Sequence, residues 1–182
     1  MIQNGTIQSA MFQKLAARDS AIIGATALLW WAFADASAGR GMLADFVGLL
    51  VGLAVGASIY LLHEWGHTLG GLLSGSVVHA NPSLRAISLF SFDSKRNSRS
   101  QFAIMSLSGF AVTALAVLFS YGVLPDGLLA SRVARGAAMV LASLTLFVEA
   151  PILVAGLVRS EIPAAVEVFT PEELPADEGA AP

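Results

Sequence analysis

"YLLHEWGHTLGG", residues 60–71, sets two histidines and a glutamate inside a run that otherwise reads as the middle of a membrane helix. Polar groups left unpaired in an apolar medium are costly, so their presence at this point demands a use. The surrounding apolar run extends from about 44 to 74, roughly 46 Å as a helix at 1.5 Å per residue, which exceeds the thickness of a bilayer core.

The rest of the chain agrees with a lipid solvent. Of 182 residues 55% are hydrophobic and only 13% charged, and the mean hydropathy is +0.72; soluble domains carry about a quarter charged residues. These values point to an integral membrane protein of one compact domain, and the lengths of its apolar runs make the expected fold all-α. Cysteine is absent, which excludes a disulfide framework and thiolate metal sites, so any metal must be held by histidines and carboxylates.

Three further apolar stretches approach the length of a span, giving about four transmembrane helices. The first is 21–39, interrupted by Asp35; the third is 101–124, ending before Pro125 and Gly127; the fourth, about 136–158, contains Glu149 and Pro151. Basic residues orient them. With four spans, Lys14, Arg18, Arg85, Lys95, Arg96, Arg99 and Arg159 share one side, against Arg40, Arg132 and Arg135 on the other. Both termini are therefore expected in the cytoplasm of a multi-pass cell-membrane protein. The first span also fits a signal peptide cleaved after Ala38; its long polar lead and the pair Trp30 and Trp31 favour an uncleaved helix.

Three regions follow: a cytoplasmic N-terminal segment over 1–20, a membrane domain over 21–159 and a tail over 160–182. Ile7, Met11, Phe12 and Leu15 recur at helical spacing in the first, which suits a surface helix as well as a frayed lead. The tail holds four prolines, six acids and no base, and is expected to be disordered. No glycine-rich phosphate loop or basic aromatic surface is present, so nucleic acid is not an expected partner.

His63, Glu64 and His67 form an HExxH pattern. Residues four apart lie on one helix face, so both imidazoles reach one ion while the glutamate addresses a water beside it. Short patterns of this kind also occur on solvated helices, but a membrane helix has no solvated charged face. At about 100° per residue, His63 and His67 fall within about 20° of a line through Gly56, with Gly52, Gly70 and Ser74 close by and Glu64 about 80° away. Gly48, Gly52 and Gly56 read as a small-residue packing stripe.

A third ligand is needed. His79 lies in a polar loop and reads as an ordinary exposed residue, while Asp35, Asp45 and Asp126 fall near the opposite surface. Glu149 lies ten residues before Arg159, about 15 Å deep, and His67 and His63 are about 12 and 18 Å deep from the same side. Glu149 is therefore the candidate ligand, with Pro151 loosening its helix locally; protonation, or pairing with a neighbouring Ser, Thr or Arg, is the competing explanation. Three protein ligands and an open position describe a catalytic zinc site, one Zn2+ per chain, with Glu64 as the base.

On these residues the chain resembles the site-2 protease family of intramembrane zinc metalloproteases. HEWGH at 63–67 fits that family's first motif. "SGFAVT", 108–113, stands where a Gly-Pro-Leu-Ala-Asn-like segment belongs; Gly109 matches, Phe110 replaces the proline and Thr113 the asparagine. "SLRAISLFSFD" reads like the family's β-rich membrane-associated segment. The third motif, Leu-Asp-Gly-like, has as its nearest counterpart "VAG", 154–156, with Ala155 in place of the aspartate. The resemblance covers about 44–158 and implies a three-helix core and a membrane-protein helix as substrate. It also implies that Thr113 contacts substrate or transition state, and that Glu149 substitutes for the missing aspartate. The competing expectation is a non-proteolytic membrane protein of the same fold that binds metal or a partner helix; a diiron oxygenase would need more than the three histidines present.

Overall fold

The computed structural model describes residues 2–159 and 161–163, with side chains from residue 9 onward. The acidic tail, beyond Arg159, lies outside the described residues apart from 161–163. Helix α1 spans Ile2–Phe33 and continues into a 3-10 turn, Ala34–Ala38. Helix α2 spans Met42–Leu73, followed by short strands β1 (Val78–Ala80) and β2 (Phe90–Phe92) and helix α3 (Arg99–Gly122). Helix α4 (Leu129–Leu144) runs through a π-helical turn, Thr145–Glu149, into α5 (Ala150–Val158).

Four continuous helical segments, Ser9–Ala38, Met42–Leu73, Arg99–Gly122 and Leu129–Val158, are long and apolar enough to cross a membrane. Their outer surfaces agree with a lipid solvent. Trp31, Met42, Leu73 and Phe147 are 84%, 88%, 87% and 74% exposed, an apolar exterior that a water-soluble monomer does not tolerate on this scale. The chain is a helical, multi-pass membrane protein.

The long face of α2 is divided between two neighbours. A Cβ at Gly52 would stand 2.5 Å from Val133 Cβ, and one at Gly56 2.6 Å from Ala137 Cβ, so this half packs on α4. At Gly66 and Gly70 the corresponding neighbours are Val112 and Ser108 of α3. Small residues thus bring α2 against both helices at backbone distance. The stripe read from sequence, Gly48, Gly52 and Gly56, does the α4 half of this work, while Gly66 and Gly70 seat α3, and the histidines stand where the α3 half begins.

Turn chemistry fixes the register of α2 against α3. Gly75, at φ +71°, ends α2, with Ser76 N–H donating to Gly71 O and Gly75 N–H to Leu72 O, the paired bonds of a Schellman motif. Ser98 begins α3 with a capping box to Gln101, and Gln101 Nε2 donates back to Ser74 O and Gly75 O. Asn97 closes the link by accepting from Val77 N–H and donating to Val77 O. At the far end, Arg135 donates to Ser120 O in the last turn of α3 and to Leu124 O just beyond it, and pairs with Asp126.

The strands form an antiparallel hairpin with His79 opposite Ser91. Its side chains join Leu15, Phe102, Met105 and Leu153 in the main core, with Met11 and Phe12 packed against them. This differs from the reading of residues 1–20 as a separate surface or frayed segment. The helix continues unbroken from residue 2, and Leu15 is completely buried beneath the hairpin. The spacing of Met11, Phe12 and Leu15 therefore marks a buried face, against protein rather than lipid.

Candidate metal centre

His63 and His67 project from successive turns of α2 with perpendicular rings, centroids 4.5 Å apart. Each ring is held from behind. His67 Nδ1 lies 3.0 Å from Met105 O, and His63 Nδ1 lies 3.2 Å from Gly109 O and 2.8 Å from Thr113 Oγ1. A carbonyl oxygen only accepts, so the proton of each neutral imidazole belongs on Nδ1 and both Nε2 atoms present lone pairs.

Those lone pairs point at one another. The two Nε2 atoms are 3.1 Å apart, and Glu149 places Oε1 3.1 Å from His63 Nε2 and Oε2 3.7 Å from His67 Nε2. Glu149 Oε2 is buried and has no hydrogen-bond partner. Converging acceptors without hydrogens repel unless a proton or a metal cation lies among them. Among the described residues, these three form the group with donor atoms close enough to hold a metal ion, all within 4.8 Å. Tetrahedral ligands about 2.0–2.2 Å from an ion stand roughly 3.3 Å apart, which the observed separations bracket. Oriented imidazoles with Nδ1–H engaged by carbonyls are also the usual surroundings of metal-binding histidines. The residues fit a metal.

Glu149 reaches the histidines through the π-helical turn. Pro151 follows two residues later, near the start of α5, and cannot donate a backbone N–H; the wider turn just before it accommodates the lost bond. The local loosening expected from Pro151 thus takes the form of an extra residue in the turn that carries Glu149. Thr145, which begins this turn, has its hydroxyl 3.4 Å from that of Thr113, so a polar chain runs from His63 Nδ1 through Thr113 to the turn.

Glu64 shares a cavity of about 190 Å³ with His67 and Glu149, walled by Ser88, Phe90, Phe92, Phe102, Met105 and Phe110 among others. Its Oε2 accepts from Leu89 N–H at 3.4 Å. The ligand group therefore has an open side, and the one carboxylate free of the ligand cluster faces it. Thr113 does not line this cavity. It is 4% exposed and meets His63 at Nδ1, on the ring edge away from Glu149, where it orients the imidazole. His79 lies in β1 with its Nε2 3.7 Å from Asp93 and its side chain 14% exposed; it is partly buried rather than exposed, and stands outside the ligand group.

A larger cavity of about 620 Å³ lies between α1, α2 and α3, lined by residues such as Trp30, Ile59, Leu62 and Phe119. Among the described residues no ionisable side chain lines it, in contrast to the smaller cavity with Glu64, His67 and Glu149. Sequence reasoning missed Asp19, which is 1% exposed and accepts from Trp65 Nε1 at 2.8 Å. The one available signal was an acid within a helical apolar pattern that includes Leu15.

Fold and site together define a multi-pass helical membrane protein with a His-His-Glu group able to hold a metal ion beside a glutamate-lined cavity. The chain matches no family model, no curated protein and no solved structure.

Proposed function

We propose that this protein is a zinc-dependent intramembrane endopeptidase of the site-2 protease type, cutting a transmembrane segment of another membrane protein near its cytoplasmic side. The observation that carries this reading is the placement of Glu64 on the open side of the His63, His67 and Glu149 cluster, in the same cavity. A structural metal site is closed by its ligands; an open position beside a free carboxylate suits hydrolysis.

Zinc held by His63, His67 and Glu149 would supply Lewis acidity toward a peptide carbonyl and toward water. Gly109 O, Thr113 and Met105 O keep both Nε2 atoms unprotonated for that task. Glu64 accepts the proton of an attacking water and returns it to the departing amine nitrogen, which balances the hydrolysis. The Leu89 N–H steadies its carboxylate, and the surrounding phenylalanines limit how much water enters.

A second reading, a non-proteolytic protein of the same fold, draws support from Thr113, whose hydroxyl is spent on His63 and stays outside the cavity. Replacing Glu64 by Gln separates the two. The purified variant should keep about one zinc per chain while cleavage of a substrate falls by about a hundredfold or more. The substrate itself is found by comparing membrane proteomes of cells carrying wild-type or Glu64→Gln protein, where an uncut membrane protein accumulates in the variant. Unchanged proteomes, with zinc bound in both, would favour the binding protein.

A further inference from the structure

The N-terminal helix holds on to the Glu64 side of the site by two routes that meet at one ion pair. Arg18 Nε donates to Asp19 Oδ1 at 2.6 Å, and Trp65 Nε1 donates to Asp19 Oδ2 at 2.8 Å. Trp65 is the residue between Glu64 and Gly66 in the HEWGH segment. The second route runs through the loop that joins β1 to β2. Arg18 Nη1 donates to Leu84 O at 2.6 Å and to Ala86 O at 3.1 Å.

That loop then returns to the cavity. Ser88 and Phe90 line it, and between them Leu89, fully buried, directs its N–H at Glu64. The base of the loop is closed independently of α1, by Asn81 N–H donating to Leu89 O and Asn81 Nδ2 to Ser88 Oγ. Its outer arc, residues 82–87, carries the two carbonyls that Arg18 engages. A guanidinium is suited to such a task, because its planar fork serves a carboxylate and backbone carbonyls at the same time.

We infer that Arg18 and Asp19 are positioning residues for Glu64: through Trp65 and the 81–89 loop they clamp the strap that walls the cavity and set the carboxylate against the ligand cluster. The catalytic consequence rests on the endopeptidase reading; the clamp itself does not. Asp19 is buried at a junction of α1, α2 and the strap, where a purely packing residue would be apolar. Neither residue touches His63, His67 or Glu149, so metal binding should survive their loss while the Glu64 side loosens.

The absence of native cysteine permits a direct test on the full chain in detergent. Ser88→Cys places a thiol on the strap, and Ser131→Cys, at a completely buried position of α4, reports the rest of the fold. Labelling by a charged, water-soluble maleimide is timed for each thiol. Arg18→Gln and Asp19→Asn should each speed labelling at Ser88→Cys by about tenfold or more, the effect expected when a charge-assisted clamp is lost and local opening increases. Ser131→Cys should stay unreactive and zinc content unchanged, with Arg18→Lys falling between wild type and Arg18→Gln.

Unaltered labelling at Ser88→Cys would overturn the proposal. So would equal acceleration at both thiols, which would make the pair a general prop of the fold. With a cleaved substrate in hand, Arg18→Gln should lower kcat at nearly constant KM, as a displaced base does; a change in KM alone would also overturn it. Because labelling needs no cleavage, failure of the endopeptidase reading and failure of the clamp are told apart.

Discussion

Both histidines lean on position 109. A Cβ there would overlap the imidazole of His67, while the Gly109 carbonyl faces His63 Nδ1. Replacing Gly109 by Ala should therefore displace a ligand ring, cutting zinc affinity by at least about tenfold as orienting contacts are lost. It should also lower stability by about 1–3 kcal/mol through overpacking. Competition with a chelator and thermal unfolding in detergent measure the two effects, and a variant with wild-type zinc affinity would show that the ring has room to move. At this scale the legible part of the site was what local spacing encodes. Two histidines four apart must share a helix face, and an acid in an apolar run must find a partner. Asp19 and Arg18 were not legible, because their partners are 46 to 68 residues away in sequence. An acid and a base at the margin of an apolar segment have the look of solvated headgroup residues.

Among the elements, the π-helical turn does the most to assemble the ligand set. A regular helix through Thr145–Glu149 would rotate each later residue by about 100° relative to α4 for every residue of difference. Glu149 would then leave the histidine face, or α5 would. Replacing Pro151 by Ala restores a backbone donor and removes the reason for the wide turn, so the segment should relax toward regular helix. The expected outcome is a loss of zinc affinity of about tenfold or more with helical content preserved, read by metal titration beside circular dichroism. Retained affinity would mean that the packing of α5, where Gly156 lies against Phe102, fixes the turn without the proline. The second and third long helices were legible to within a few residues, because length and apolarity suffice for them. The first and fourth begin well before the apolar runs at 21 and about 136, at Ile2 and Leu129, where polar and basic residues interrupt the pattern. The hairpin was legible as a β-prone loop, but its pairing of Val78 with Phe92 depends on Asn97 and on contacts with α1, which no local pattern carries.

For the whole molecule, the ligand cluster ties α2 to the segment that joins α4 and α5, with α3 supplying the oriented backbone behind it. An ion held there crosslinks helices that are otherwise united by packing in a solvent as apolar as they are, where association gains little from burial. Zinc should accordingly stabilise the bundle by mass action. At free zinc about one hundred times the dissociation constant, the gain is about 2.7 kcal/mol, which for a chain of this size corresponds to a melting shift of roughly 5–10 °C. Stripping the purified protein with a chelator should lower Tm by that amount, and added zinc should restore it. The Glu149→Ala variant should melt near the stripped wild type and respond weakly to zinc, since two imidazoles alone bind it loosely. Glu64→Gln should behave as wild type in both states, because its side chain stands outside the ligand group. Zinc-dependent melting that persists at full strength in Glu149→Ala would remove Glu149 from the ligand set and leave the turn that carries it without a role.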